Sequence, residues 1–314
     1  MKKLLVSMSV TFLLLGTGCT QNDTVESLPT RTESVTQTPE PSTGFVADPL
    51  LANTPMVSNI RIPPGDVLTL AKTSKDAKYT QATDAGAEVI EVDNNRSFVV
   101  WWQPEGFDPK TDTVVVSLGG HAGWATRDYV VWKDLLEERG YAFLSVQWWF
   151  GRSLESAGYY QPNVIYGLIR DTLRTKKVTP GNVIFQAYSM GSANSYAVTG
   201  FDRWEGDQFF AVTIANSGVY EADFPPNAKL PTYSDQPYAN TNWILYCATH
   251  DEEHPSWNEC QSMDDTRTQI EAWGGDVALY IKDSVGTHGS FMMNKANANQ
   301  ALDVAETFLK IDGE

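Results

Sequence analysis

The alternation of apolar, strand-like segments with amphipathic, helix-like segments from residue 113 onward constrains the fold more than any other feature of this sequence. Continuous apolar runs such as "TVVVSLGG" and "NVIFQAY" are typical of strands buried on both faces of a parallel sheet. The segment "TRDYVVWKDLLEERGY" follows the first run, with apolar residues at helical spacing and Gly140 as a stop. The alternation predicts an α/β fold in which helices flank both faces of a mostly parallel central sheet.

A β-hairpin is predicted before this alternating part. The stretch "AEVIEVDNNRSFVVWWQPEGF" alternates in polarity, and Asp93, Asn94 and Asn95 supply turn-forming residues at its centre. No internal repeat is present, which excludes a repeat architecture. With 314 residues and 42% hydrophobic content, the chain can bury the core of one large domain, and we predict that residues 48–314 form it.

The N-terminal residues predict export from the cytoplasm. Residues 1–19, "MKKLLVSMSVTFLLLGTGC", combine two lysines, a short apolar run and small residues before Cys19, the pattern of a secretory signal peptide. The ending resembles a bacterial lipobox, after which Cys19 is acylated, although Gly16 stands where leucine is usual. We predict an extracytoplasmic, membrane-anchored lipoprotein, with simple secretion as the alternative. Residues 20–47 are dominated by Ser, Thr, Pro and Glu, which predicts a disordered tether.

The charge and the scarcity of ligand motifs narrow the set of partners. The formal net charge is −16, and nucleic acid, which requires basic surfaces, is not expected as a partner. The sequence has no paired metal-binding cysteines, HExxH, P-loop or GxGxxG motif, and its four histidines are too scattered to indicate a metal cage. We predict no metal, no organic cofactor, and membrane contact only through the lipid anchor at Cys19. The sequence does not define an oligomeric state.

One serine lies where a nucleophile is expected. Ser189 follows the strand-like "VIFQAY" and precedes a helix-like segment, with Ala187 and Gly191 two positions to either side. This is a variant of the G-x-S-x-G nucleophile elbow, whose tight strand-to-helix turn leaves no room for bulk at those two positions. The pattern is loose by itself, and a helix N-cap serine is the alternative. Placement between a buried strand and a helix favours the nucleophile.

A nucleophilic serine needs a general base and a carboxylate that orients the base. In strand–turn–helix sites of this kind the order along the chain is serine, acid, histidine. His288 lies in the Gly-flanked loop "DSVGTHGSF", after the last predicted strand and before the last helix. Because the carboxyl ends of parallel strands share one edge of the sheet, this loop is expected to reach Ser189. We therefore predict His288 as the base.

Asp251 is predicted to be the carboxylate that orients the base. It ends the strand-like stretch "NWILYCATHD" and is the first acidic residue there, at the sheet edge where the serine is expected. Glu252 and Glu253 follow it immediately and compete for the same role. An acid placed one strand earlier would be Glu221 or Asp223.

Backbone amides are predicted to hold the negative charge that forms on the substrate oxygen. One is the amide of Met190, directly after the serine. The other comes from the glycine-rich loop after "TVVVSL", where the amide of His121 is the first choice and that of Gly120 the next.

Three tryptophans come just after predicted strands, at positions Trp124, Trp148 and Trp149. Large aromatic side chains at this edge are candidates for lining a substrate pocket. Packing in the core is the more common role of tryptophan and stays the alternative.

Two cysteines remain when Cys19 is set aside, and their even number in an exported chain predicts a Cys247–Cys260 disulfide. The bridge would brace the loop that carries the predicted acid. Two unpaired buried thiols are the alternative.

These motifs resemble the α/β-hydrolase superfamily over nearly all of the part predicted to fold. The segment "RSFVVWWQPEGFDPKTDTVVVSLGGHAG" is similar to the hairpin and L-H-G-x-x-G loop of secreted esterases grouped with polyhydroxybutyrate depolymerases and feruloyl esterases, with Gly119 where histidine is usual. In "KVTPGNVIFQAYSMGSANSY", Thr179 and Pro180 precede the strand as in that group, while Ala187 and Ser192 stand where glycine is often found.

The resemblance implies a serine hydrolase that cleaves carboxylic esters through an acyl-enzyme on Ser189, with His288 as base and Asp251 as acid. The implied substrate is a small-molecule or polymeric ester. A serine peptidase or amidase with the same triad is one alternative. A non-catalytic binding lipoprotein on a hydrolase scaffold is another.

Overall fold

A computed structural model describes residues 65–204, 207–250 and 259–310 of the chain. The predicted signal peptide, Cys19 and the tether lie outside these residues, so the segment boundaries predicted from the sequence stay predictions. The strands are β1 (Glu88–Val92), β2 (Ser97–Trp102), β3 (Val114–Leu118), β4 (Ala142–Val146), β5 (Val183–Tyr188), β6 (Phe210–Asn216), β7 (Asn242–Ala248) and β8 (Asp276–Asp283).

The longer helices alternate with the strands from β3 onward, as the sequence predicts. The helices are α1 (Val67–Thr73), α2 (Tyr79–Asp84), α3 (Ala125–Arg139), α4 (Pro162–Lys176), α5 (Met190–Trp204), α6 (Pro225–Ala228), α7 (Glu259–Ala272), α8 (Ser290–Met293) and α9 (Lys295–Glu306). The two short helices α6 and α8 are additional to that prediction. Within the described ranges, no helix has the length and apolar character needed to cross a membrane.

The strands form a single sheet in the order β1-β2-β4-β3-β5-β6-β7-β8. The β1–β2 and β2–β4 pairs are antiparallel, and all other pairs are parallel. Strands β3 and β4 are buried along their whole length, which explains their continuous apolar sequence. Helix α3 packs against β2, β3 and β4, and α5 against β3, β5 and β6. The predicted α/β architecture is confirmed.

The turns also follow the sequence. Asp93, Asn94 and Asn95 take φ values of 51°, 54° and 66°, so the β1–β2 hairpin turns through left-handed conformations that Asn and Asp tolerate well. Gly140 ends α3 with a φ of 71°, a conformation that favours glycine over any residue with a Cβ.

The short helices α1 and α2 are not apparent in the sequence, because neither carries a long apolar periodicity. Tertiary contacts hold the segment that contains them against α3. The Thr126 hydroxyl donates to the Ala77 carbonyl at 2.5 Å, and the Tyr129 hydroxyl donates to the Ala85 carbonyl at 2.9 Å. This segment therefore covers part of the helix that follows the glycine-rich loop.

The structure contains the predicted disulfide. Cys247 lies near the end of β7 and Cys260 in α7, with a Cα–Cα distance of 5.2 Å. The bond thus fixes α7 to the carboxyl end of β7, at the edge of the sheet where the candidate site lies.

Candidate active site

Ser189 occupies the turn between β5 and α5, with a φ of 55°. The left-handed conformation is costly for a residue with a Cβ and is typical of a nucleophile elbow. Its backbone amide donates to the carbonyl of Asn216 at 2.8 Å. A Cβ on Gly191 would overlap the carbonyl oxygens at the end of β3, and a Cβ on Gly218 would overlap the Ser189 carbonyl. The small residues around the serine are therefore required by close backbone packing.

The structure brings His288 to the serine. Its Nε2 atom lies 2.8 Å from Ser189 Oγ, a hydrogen-bond distance suited to proton transfer. The two residues are 99 positions apart in the chain. The side chain of His288 is almost fully buried, so bulk water does not surround the imidazole.

A buried carboxylate that sequence reasoning missed lies behind the imidazole. Glu259 Oε2 is 3.6 Å from His288 Nδ1, and the side chain of Glu259 is 0% exposed. This separation is that of an ion pair rather than a short hydrogen bond. Neither carboxylate oxygen of Glu259 has a hydrogen-bond donor within the described part of the chain. A carboxylate so placed favours the positively charged imidazole that forms when His288 accepts a proton.

The acid predicted from sequence, Asp251, lies outside the described residues, as do Glu252 and Glu253. Its role stays a prediction. The alternatives one strand earlier, Glu221 and Asp223, are exposed. The signal for Glu259 was present in the sequence as its position directly before Cys260. It could be recognised only once the disulfide was known to hold that segment at the sheet edge.

Asp283 fixes the loop that carries the base. It accepts hydrogen bonds from the amides of Val285 and Gly286, and from the side chains of Asn297 and Tyr246. Burial acts to raise the pKa of Asp283, but these hydrogen bonds outweigh it and hold the pKa below the usual value. The ionised carboxylate therefore organises the loop that carries His288.

The glycine-rich loop after β3 lies directly beside the serine. A Cβ on Gly120 would stand 3.1 Å from Ser189 Cβ and 3.0 Å from the ring of Tyr188. Met190, whose amide is the other predicted donor, is the first residue of α5. The structure thus brings Gly120 and Met190 next to the nucleophile, and the assignment of the oxyanion donors among Met190, His121 and Gly120 stays a prediction. The side chain of His121 points elsewhere, with Nε2 3.2 Å from the Leu154 carbonyl.

Buried aromatic side chains hold this loop from behind. Trp148 Nε1 donates to the Gly119 carbonyl at 3.1 Å, and the Tyr159 hydroxyl accepts from the Ala122 amide at 3.1 Å. The rings of Trp148 and Tyr159 lie 4.8 Å apart. Both belong to the segment after β4, which therefore sets the shape of the loop.

The three tryptophans proposed for the pocket are buried. Trp124, Trp148 and Trp149 are 5%, 2% and 8% exposed, and Trp124 packs edge-on against Trp149. The structure places them in the core beneath the loop, where packing leaves little ring surface for a substrate. A role in lining the pocket stays a prediction.

Tyr188 was also missed in the sequence. Its ring centre is 5.3 Å from that of His288, and the same ring borders Gly120. The side chain thus lies against both His288 and the glycine-rich loop after β3. The sequence places Tyr188 directly before the serine, at the elbow, but does not indicate which way its ring points.

Comparisons with known proteins identify the fold. No family model matches the chain, and no curated protein matches it. Among similar solved structures, a Pyrobaculum calidifontis esterase has a TM-score of 0.54 at 14% identity, over 79% of this chain and 95% of that one. An esterase from Rhizomucor miehei has a TM-score of 0.54 at 12% identity, over 80% and 98%. Thermogutta terrifontis esterase 2, phosphonylated by sarin, has a TM-score of 0.51 at 12% identity, over 72% and 96%.

The chain therefore has the α/β-hydrolase fold. Identities this low establish the fold and leave the narrower resemblance to polyhydroxybutyrate depolymerases and feruloyl esterases as a prediction.

Proposed function

We propose that this protein is a serine hydrolase that cleaves carboxylic esters through an acyl-enzyme on Ser189. The observation that carries the proposal is the 2.8 Å contact between Ser189 Oγ and His288 Nε2, at a strand–turn–helix elbow with a left-handed serine. The solved structures of similar fold that are described above are esterases, which favours ester hydrolysis over other acyl-transfer chemistry.

In the first half of the reaction, His288 Nε2 takes the proton of Ser189 as Oγ attacks the ester carbonyl carbon. The carbonyl oxygen becomes negative and is held by the amides of Met190 and of Gly120 or His121. The tetrahedral species then collapses, the carbon–oxygen bond to the alcohol breaks, and His288 returns the proton to the leaving alcohol. The products of this half are the free alcohol and an ester between the acyl group and Ser189.

In the second half, His288 takes a proton from water as the water oxygen attacks the acyl carbon. Collapse of this second tetrahedral species releases the carboxylic acid, and Ser189 Oγ regains its proton. Among the residues that the structure describes, we assign Glu259 as the carboxylate that orients His288 and stabilises its protonated form. Asp251, predicted from the sequence, is the other candidate for that role.

A panel of nitrophenyl esters and aminoacyl amides, assayed with the native protein and Ser189→Ala, tests the function. We expect turnover of esters that is abolished in Ser189→Ala and retained in Ser234→Ala, a control serine away from the elbow. Faster turnover of amides than of esters would indicate a peptidase or amidase instead.

A fluorophosphonate probe separates catalysis from simple binding. We expect the probe to label the native protein at Ser189, because a serine activated by a base attacks phosphorus as it attacks a carbonyl. A folded protein that is not labelled and turns over no substrate would favour the non-catalytic alternative.

Export and lipidation complete the proposal. The N-terminal pattern supports a lipid anchor at Cys19, with residues 20–47 as a tether that holds the hydrolase domain off the membrane. The full-length chain expressed in a bacterium should incorporate radiolabelled palmitate and fractionate with membranes, and Cys19→Ala should do neither. An unprocessed, cytoplasmic native chain would contradict export.

A further inference from the structure

Asp128 lies beneath the oxyanion loop and takes no part in the reaction as described above. It belongs to the first turn of α3. A Cβ built on Gly119 would stand 2.5 Å from Asp128 Oδ2 and 3.0 Å from Oδ1. The carboxyl group of Asp128 therefore fills the space that a side chain at position 119 would occupy, which explains why that position is glycine.

Gly119 contacts several parts of the candidate site. Its carbonyl accepts the hydrogen bond from Trp148 Nε1 and lies against Gly191 of the elbow. The next residue, Gly120, borders Ser189. A group that presses on Gly119 thus acts directly on the loop that supplies the second oxyanion donor.

The surroundings of the Asp128 carboxyl group are poor in compensating charge. From β4, the Ser145 hydroxyl donates to Oδ2 at 3.4 Å, and from the loop Gly119 lies against the carboxyl group. Desolvation raises the pKa of Asp128 to about 7, and the Ser145 hydrogen bond and Arg127 oppose the rise only partly. Within the described residues, Arg127 is the charged group that acts on this carboxyl.

We propose that Asp128 is a positioning residue of the oxyanion loop whose protonated, neutral form supports catalysis and whose ionised form opposes it. The neutral carboxyl packs against Gly119 without adding charge. Ionisation places a negative charge beneath the loop, where it repels the oxyanion that develops in the transition state. This inference rests on the proposed ester hydrolysis at Ser189 and adds a second titrating group to that site.

The pH profile of kcat/KM for a nitrophenyl ester tests the inference, with the rate of Ser189→Ala subtracted at each pH. In the native protein we expect the rate to rise as His288 loses its proton. It should then fall by about three- to tenfold as Asp128 ionises, the size expected for one added charge near the site. In Asp128→Asn the amide keeps the shape but cannot ionise, so the alkaline fall should be absent. Asp134→Asn, an exposed aspartate of the same helix, should keep the native profile.

Thermal melting of the same proteins reports on the ionisation without any substrate. The pKa of Asp128 is higher in the folded than in the unfolded state, so its contribution to stability is complete below the unfolded value and is lost as pH rises toward the folded one. The melting temperature of Asp128→Asn minus that of the native protein should therefore increase between pH 5 and pH 8. For Asp134→Asn this difference should stay constant.

Different results would contradict the proposed ester hydrolysis and the role of Asp128. If the native protein hydrolyses no ester above the Ser189→Ala rate, the proposed function is wrong. If it hydrolyses esters, and the alkaline limb of Asp128→Asn matches that of the native protein, the role of Asp128 is overturned. The same holds if the melting difference does not change with pH.

Discussion

The two sides of Ser189 are held by different kinds of interaction. On one side, the loop of Gly119 and Gly120 rests on buried aromatic rings, with Trp148 donating to a backbone carbonyl. On the other side, His288 is set by charged and polar groups, with Glu259 behind the imidazole and a disulfide next to that glutamate. Packing fixes backbone amides, which must only stay in place. Charge supports His288, which in the proposed reaction must change its protonation state.

The largest expected effect comes from the polar side, with His288→Ala. Loss of the base should lower kcat/KM for a nitrophenyl ester by about four orders of magnitude, because Ser189 is left without a proton acceptor. His250→Ala, an exposed histidine near the end of β7, serves as the control and should retain activity. Near-native activity of His288→Ala would contradict the role of His288 as the general base.

Glu259→Gln and Asp251→Asn together test which carboxylate acts with His288. Glu259 lies behind the imidazole in the structure, and Asp251 is the acid predicted from the sequence. If Glu259 stabilises the protonated imidazole, the variant should lose about a hundredfold in kcat with a much smaller change in KM. Asp251→Asn should then be nearly silent. The opposite pattern, a large loss in Asp251→Asn and none in Glu259→Gln, would assign the acid to Asp251. Glu271→Gln, in the last turn of the same helix, controls for the loss of one negative charge.

Trp148→Phe tests the packed side. The variant removes the donor to the Gly119 carbonyl and leaves a small cavity, so kcat should fall by about tenfold and stability by about 2 kcal/mol. Because the base is untouched, the acid limb of the pH profile should keep its midpoint. A shifted midpoint would show that the two sides are coupled and not independent.

Removal of the disulfide should have the smallest effect on activity. The Cys247→Ala, Cys260→Ala double variant loses a bridge with a sequence separation of 13, worth about 3 kcal/mol on the chain-entropy model. Chemical denaturation should report that loss, while kcat falls only severalfold as Glu259 gains freedom. Unchanged stability and activity in both the double variant and the reduced native protein would contradict a bracing role.

The sequence predicts the strands and the longer helices of this molecule. The strands from β1 to β8 and the longer helices α3, α4, α5, α7 and α9 follow from runs of apolar residues and their spacing, and the hairpin turn follows from Asp93, Asn94 and Asn95. Ser189 could be named because it lies directly after β5, and His288 because it lies in the loop that follows β8. In a parallel sheet that position alone defines the edge to which they belong.

The short helices α1 and α2, the role of Tyr188 and the position of Glu259 could not be predicted in this way. Each depends on contacts between segments far apart in the chain. Glu259 lies in a helix eleven positions after the end of β7, where sequence spacing gives no direction to a side chain. It lies behind His288 because α7 packs on β7 and β8, and the disulfide adds a covalent link between α7 and β7.

The sequence by itself determined the α/β-hydrolase fold, the elbow at Ser189 and the histidine that serves it, because local periodicity and strand ends are properties of short segments. The tertiary structure alone decided that Glu259 lies behind His288, that Trp148 donates to the glycine-rich loop after β3, and that Asp128 fills the space beside Gly119. The physical reason is that these contacts join separate elements. Their geometry is set by the order of strands in the sheet and by the way helices pack on it, which no single stretch of sequence encodes.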